Sequence, residues 1–346
     1  MSKYVLTVNG TNSQNNAGSK AANDAIKIVN ELGYESLELY RSSETKTRIR
    51  DVGRGLLNVY IWQKKLKDND VIFLQYPMNR YMMGKIYHIL KSCGKKIKVI
   101  TLIHDVDFLR NVPKANGNVD DMKKVELSLL SQSDIIIAHN NYMIHALRKE
   151  GLESKYISLE IFDYLYKGKG AKTEDVDTVI VAGNLLKQKA GYLYKLDSKN
   201  QQFNLALYGS NLSEGFCYEH AKYYGSFSPD ELIKNLVGTY GLVWDGNMLE
   251  TCAGNYGNYL KINNPHKVSL YLAAGLPVIV WKESALYSFV RENEVGIGID
   301  SLTQIDNVLQ ETKTQYNKFK LNAENVGERI RNGYFLKKAI KEAEKM

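Results

Sequence analysis

The strongest constraint on this chain is an alternation of short, nearly all-apolar runs with longer amphipathic segments. Val71-Ile72-Phe73-Leu74-Gln75-Tyr76, Ile97–Ile103, Ile135-Ile136-Ile137-Ala138 and Val278-Ile279-Val280 show almost no polar face. A strand that is apolar on both sides must be covered on both sides, and strands separated by helices pair in parallel. The chain therefore reads as α/β. Gly33, Gly94, Gly151 and Gly275 stand just past amphipathic segments, where a helix end calls for a left-handed residue.

The pattern runs twice. Strands are expected over 4–8, 36–40, 71–76, 97–103, 135–138 and 156–159, with helices between them. The composition then shifts over Asp163–Asp177, where Lys167-Gly168-Lys169-Gly170-Ala171-Lys172 reads as a linker. A second series follows over 178–182, 203–208, 223–226, 241–244, 278–280 and 295–299, and a long terminal helix over 324–345. The expected organisation is an N-terminal α/β domain over 1–165, a C-terminal one over 175–325, and a terminal segment, 326–346, packing back on the first. Such doubly wound sheets bind ligands beyond the carboxyl ends of their strands. The ends to watch in the first half are Asn9–Gly18, Tyr76-Pro77, His104-Asp105 and His139-Asn140.

Composition narrows the function. No run approaches the roughly 18–20 apolar residues of a membrane span, and Met1-Ser2-Lys3 leads straight into a strand, so a cytoplasmic protein is expected. Cys93, Cys217 and Cys252 are far apart without a CxxC spacing, which disfavours a disulfide framework or a zinc site. The net charge is +8, from 46 basic and 38 acidic residues. With no helix-turn-helix, RRM or zinc-finger pattern, the excess reads as solvated helix faces, and no nucleic-acid partner is expected. A mildly basic surface also suits an enzyme that handles an anionic nucleotide, or peripheral contact with acidic lipid heads at the inner face of a membrane.

The stretch Asn263–Trp281 concentrates the chemistry. Asn263 and Asn264 are N-cap candidates, Pro265 suits a first helical turn, a helix runs from Lys267 to Ala274, and Gly275 closes it. A helix start with a lysine in its first turn is an anion site. Read alone, the same stretch is equally an ordinary helix–strand unit with a solvated lysine. There is no GxGxxG and no Walker lysine. The two-domain outline is shared by GT-B glycosyltransferases, periplasmic binding proteins and two-domain dehydrogenases, so outline alone does not choose.

Particular residues do choose. Ile103-His104-Asp105-Val106, Gly183-Asn184, Pro229-Asp230-Glu231, Gly241-Leu242-Val243-Trp244, and Lys267 with Leu272-Ala273-Ala274-Gly275-Leu276-Pro277-Val278-Ile279-Val280 run through almost the whole chain. With them the chain resembles the bacterial GT-B glycosyltransferases related to glucosyltransferase 3 of streptococcal adhesin glycosylation. It is similar, too, to the sugar transferases of the β-1,6-galactofuranosyltransferase type. The resemblance implies two doubly wound parallel-sheet domains facing a cleft, a UDP-sugar donor, no metal and no other cofactor. It also implies a glycan or glycosylated protein as acceptor, and a homo-oligomer. Its nucleotide contacts fall on Asn16, Lys187, Phe227, Pro265, His266, Lys267, Val268, Ser269 and Leu270. Lysine stands at 187 where arginine is usual, which loses the planar fork. Phe227 stands where tyrosine is usual and cannot hydrogen bond.

Without a metal, a leaving UDP needs fixed positive charge and backbone N–H groups aimed at the diphosphate. Lys187, Lys267 and the helix start supply them. The paired glutamates that many retaining enzymes carry in this helix are absent between Leu260 and Gly275. An inverting transferase needs a general base for the acceptor hydroxyl. Asp105 or His104 is the candidate; the alternative is that the pair only orders the following loop. His139 is a weaker choice, and Asp245-Gly246 reads as a sugar contact or simply a turn. The expected function is hexosyl transfer, of glucose or galactofuranose, from a UDP-sugar to a cell-surface glycan acceptor. A non-catalytic relative that only binds sugar nucleotide or glycan is the alternative.

Overall fold

The computed structural model describes residues 1–9, 17–40, 48–78, 80–111, 118–168, 170–171 and 178–346. The chain divides into two compact units. One comprises 1–13, 22–159 and 336–346, the other 14–21 and 160–335.

The first unit is built on β1 (Lys3–Asn9), α1 (Ala17–Glu31), β2 (Glu35–Tyr40), α2 (Arg48–Gln63), β3 (Val71–Tyr76), α3 (Arg80–Ser92), β4 (Lys98–Ile103), α4 (Asp107–Arg110), α5 (Val119–Leu130), β5 (Ile135–Ala138), α6 (Asn141–Lys149) and β6 (Lys155–Ser158). Its strands form one sheet in the order β2-β1-β3-β4-β5-β6, with every pairing parallel. The central strands are buried along nearly their whole length, as all-apolar runs require.

The second unit holds β7 (Thr178–Ala182), β8 (Asn204–Tyr208), β9 (Ala221–Tyr223), α7 (Pro229–Asn235), β10 (Tyr240–Val243), α8 (Gly254–Tyr259), α9 (His266–Ala273), β11 (Val278–Trp281), α10 (Tyr287–Glu292), β12 (Gly296–Ile299), α11 (Ile305–Glu311) and α12 (Tyr316–Arg331). Its sheet is again wholly parallel, in the order β12-β11-β10-β7-β8-β9. The chain winds outward from β7 through β8 to β9, then returns to start at β10 and winds the other way. The reversal lies between β7 and β10. Crossovers leave adjacent strands in opposite directions there and open a crevice at the carboxyl ends.

Helix α9 is held by β10, β7 and α12. Its Tyr271 ring lies against Gly241 of β10, where a Cβ would fall 2.1 Å from Cγ of the ring. The Tyr271 hydroxyl accepts the N–H of Ala182 at the end of β7, at 2.8 Å. The far end of α9 closes on Gly275, at φ +73°, with Gly275 N–H to Leu272 O and Leu276 N–H to Tyr271 O. Its last carbonyls meet cations from α12: Arg331 Nη1 donates to Ala273 O and Lys320 Nζ to Gly275 O, both at 2.7 Å. A Cβ on Gly327 would lie 2.0 Å from Leu272 O, so α12 approaches backbone to backbone.

Two sequence expectations are corrected. The terminal helix over 324–345 is two helices: α12 starts earlier, and α13 (Tyr334–Lys345) follows a break at Asn332-Gly333, with Gly333 at φ +71°. Residues 336–346 belong to the first unit, where Glu344 pairs with Lys3 at 2.8 Å and accepts from the Tyr34 hydroxyl at 2.9 Å. Asn264 is not an N-cap. Pro265 occupies that position, and the buried Asn264 donates Nδ2–H to Glu160 O at 2.9 Å. No helix among the described residues is long and apolar enough to cross a membrane.

The Tyr271 contact leads to a direct expectation. Gly241→Ala forces the ring off β10 and costs about 1–3 kcal/mol of stability, the usual range for an overfilled core. Urea denaturation measures it; an unchanged midpoint would mean the ring does not constrain the strand.

Candidate active site

In the second unit the crevice between β7 and β10 is framed by two loops that are tied together. Gly246 N–H donates to Lys189 O at 2.7 Å, and Tyr192 N–H donates to Gly246 O at 3.1 Å. Gly246 has φ +112° and a Cβ there would lie 2.4 Å from Ala253 O, so the turn after β10 requires glycine. The turn sets Asp245 at the strand end, nearly buried. Lys267, in the first turn of α9, reaches back to it: Nζ lies 2.8 Å from Asp245 Oδ1 and 3.4 Å from Trp244 O. The lysine side chain is only 15% exposed. An ammonium held in this way has a defined position beside the helix start.

The other expected donor contacts divide into groups. Pro265 and His266 open α9, whose first N–H groups point out of its N-terminal end. His266 stacks on Tyr164 at 5.2 Å and meets Phe162 edge-on, and its Nε2 lies 3.3 Å from Asp163 O. Val268 and Leu270 turn their side chains into the core. Ser269 is buried, and its Oγ has no hydrogen-bond partner among the described residues. Lys187 is exposed after the Gly183-Asn184 turn, its Nζ 5.4 Å from the Tyr194 ring centre. Phe227 is half-buried and tilts against Tyr208 at 6.3 Å. Asn16 lies outside the described residues.

In the first unit the carboxyl ends of β3, β4 and β5 bring His104, Asp105 and His139 together. His104 Nε2 lies 2.6 Å from Gln75 Oε1, and Gln75 Nε2 donates to Ala22 O at 3.2 Å. The second bond orients the amide, so its oxygen accepts from His104 and the histidine is assigned as the Nε2–H tautomer. His139 Nε2 lies 3.1 Å from His104 O. Burial lowers the His104 pKa to about 4, and burial together with the neighbouring His104 lowers that of His139 to about 3. Both imidazoles are neutral at pH 7. Asp105 is different. Its side chain is 39% exposed and sits 3.3 Å from Arg110 Nη1. Below it Glu126, fully buried, accepts the Tyr76 hydroxyl at 2.6 Å and the N–H of Phe108 at 2.8 Å, fixing the start of α4.

Sequence reasoning singled out Lys267 and left Asp245 open between a sugar contact and a turn. The missed feature is their pairing across 22 residues, which becomes readable only once β10 and α9 are neighbours. Gln75 and Glu126 went unnoticed because each acts through a partner distant in sequence.

Comparison with known proteins shows the family. The N-terminal domain of the glucosyltransferase 3-like family matches residues 3–161, and its C-terminal domain matches 179–343. The chain belongs to the glucosyltransferase 3-like family of glycosyltransferases. It is 31% identical over 341 residues to beta-1,6-galactofuranosyltransferase WbbI of Escherichia coli (strain K12), covering 95% of each chain. To Glucosyltransferase 3 of Streptococcus gordonii it is 25% identical over 345 residues, covering 98% of each. Sucrose-phosphate synthase from Thermosynechococcus elongatus shares the fold, with a TM-score of 0.64 at 11% identity over 98% of this chain and 97% of that one. The fold of this family member is GT-B.

The two histidines give the glucosyltransferase 3-like fold a predictable pH dependence. Their folded pKa values lie below the ordinary 6.5, so the unfolded chain takes up protons first as pH falls. The stability they protect is whole above about pH 6.5 and is lost as pH falls towards 4, by up to about 1.4 kcal/mol per pH unit for each histidine. Urea denaturation from pH 7 to pH 5 measures the slope. His139→Asn flattens it; a slope as steep as that of the native chain would contradict the assignment.

Proposed function

We propose that the protein transfers a hexose, glucose or galactofuranose, from a UDP-sugar to a glycan acceptor of a cell-surface protein or polysaccharide, without a metal ion. The observation that carries this reading is Lys267, held by Asp245 at the start of α9 and beside the crevice between β7 and β10. As the bond from the sugar C1 to the diphosphate oxygen breaks, negative charge grows on the departing UDP. Lys267 and the N-terminal end of α9 meet that charge at no cost in reorganisation, because both are set before the donor arrives. Lys187, on its exposed loop, adds a second cation. The names of the relatives supply the choice of sugars: one is called a galactofuranosyltransferase, the other a glucosyltransferase.

For an inverting transfer, Asp105 is the base we assign to the acceptor hydroxyl. It is an open carboxylate at a strand end, with Arg110 to orient it. His104 is neutral and engaged with Gln75, which suits it to positioning the Asp105 segment.

Titration calorimetry with UDP tests the donor half. Lys267→Ala weakens UDP binding about 10- to 100-fold, the range for losing a hydrogen bond to a charged group. No UDP binding by the native chain, or equal binding by the variant, would overturn it. Asp105→Asn tests the other half. Turnover with UDP-glucose or UDP-galactofuranose drops about 100-fold or more while UDP affinity stays unchanged; undiminished turnover would remove Asp105 from the chemistry.

A further inference from the structure

The whole net charge of the protein resides in one stretch. Residues 53–98 carry ten basic and two acidic residues, whereas the other 300 carry 36 of each sign. One of the two acidic residues, Asp70, is buried. This stretch forms α2 from Gly53 onward, β3, α3 and the first residue of β4. The crossovers from β2 to β3 and from β3 to β4 run in the same direction along the sheet, so right-handed connections place α2 and α3 on one face, where they pack together.

The outward side of that layer is not an ordinary solvated surface. Helix α2 buries Gly55, Val59 and Trp62 against the unit, with Leu66 following just beyond its end. At 3.6 residues per turn the opposite side is Leu57, Tyr60 and Ile61, then Lys64 in the next turn. Leu57 is 56% exposed, Tyr60 50% and Ile61 52%, and Tyr81 at the start of α3 is 63% exposed. Cations flank them. Lys64 Nζ sits 5.3 Å from the Tyr60 ring centre and Lys85 Nζ 5.6 Å from that of Tyr81. Arg54, Lys65, Lys67 and His88 are exposed as well. Large aliphatic and tyrosine side chains interleaved with lysines, on helices lying side by side, form the amphipathic signature of an interfacial surface.

We propose that the outer face of α2 and α3 docks on an anionic lipid bilayer. Leu57 and Ile61 enter the acyl boundary, Tyr60 and Tyr81 sit at headgroup depth, and the lysines pair with lipid phosphates. The concentrated positive charge argues against a second copy of the chain as occupant, because a two-fold contact would bring like charges together. Nucleic acid would use the cations but leave Leu57 and Ile61 facing water.

The test is co-sedimentation of the full chain with vesicles of phosphatidylcholine alone and of phosphatidylcholine with roughly one-third phosphatidylglycerol. We expect at least tenfold stronger partition onto the anionic vesicles, with about a fivefold loss in Lys64→Ala. Leu57→Ser/Ile61→Ser should lose about tenfold or more. All three side chains, Leu57, Ile61 and Lys64, face solvent, so the variants should melt with the native chain, which a thermal scan verifies. Equal partition onto both vesicle types, or anionic binding untouched by either variant, overturns the proposal. Two further results would overturn it: a dimer in light scattering that Ile61→Ser abolishes, with no vesicle binding, and retention on RNA with none on vesicles. Because the readout is lipid binding, it stands or falls separately from the transferase reading.

Discussion

The fit of α9 against β10, β7 and α12 is the constraint on which the second unit depends. Tyr271 occupies the space that Gly241 leaves empty and ties its hydroxyl to the last N–H of β7. Gly327 lets α12 approach the other side, and Arg331 and Lys320 meet the carbonyl end. A helix fixed at its body and its far end has its first turn fixed too. The pairing of Lys267 with Asp245 follows from that placement, since each residue alone is unremarkable: a lysine near a helix start and an aspartate in a turn. Rigid support of this kind lets a cation meet developing charge without first having to move.

The two units share a six-stranded parallel architecture and present different groups at their strand ends. In the second, the strand ends present a helix start, a lysine and glycine turns, the ingredients of an anion site. In the first, they present neutral imidazoles, an open carboxylate and a buried glutamate that orders the loop beyond β4.

Most of the sheet architecture was legible in the sequence because strands buried on both faces announce themselves. The runs 71–76, 135–138 and 178–182 coincide with β3, β5 and β7. What escaped was short or tertiary. Helices α8 and α10 have six residues each, too few to show a period, and are held by packing. The break at Gly333 hides inside a continuous amphipathic pattern. The basic excess read as solvated helix faces until burial showed that Leu57, Tyr60 and Ile61 stand exposed beside the lysines that follow α2. Asn264 is not the cap because the helix starts one residue later, with Pro265 at the N-cap position, while the Asn264 amide donates to Glu160 O. At the site, Lys267 could be picked by type and position, whereas its partner could not, because sequence spacing does not report that β10 and α9 are neighbours.

The most direct measurement of this account is a crystal structure of the protein with UDP bound. The account predicts diphosphate oxygens within hydrogen-bonding distance of Lys267 Nζ and of the backbone N–H groups at the start of α9, with Asp245 still beside the lysine. A diphosphate seated elsewhere, with the Lys267–Asp245 pair closed and untouched, would contradict it.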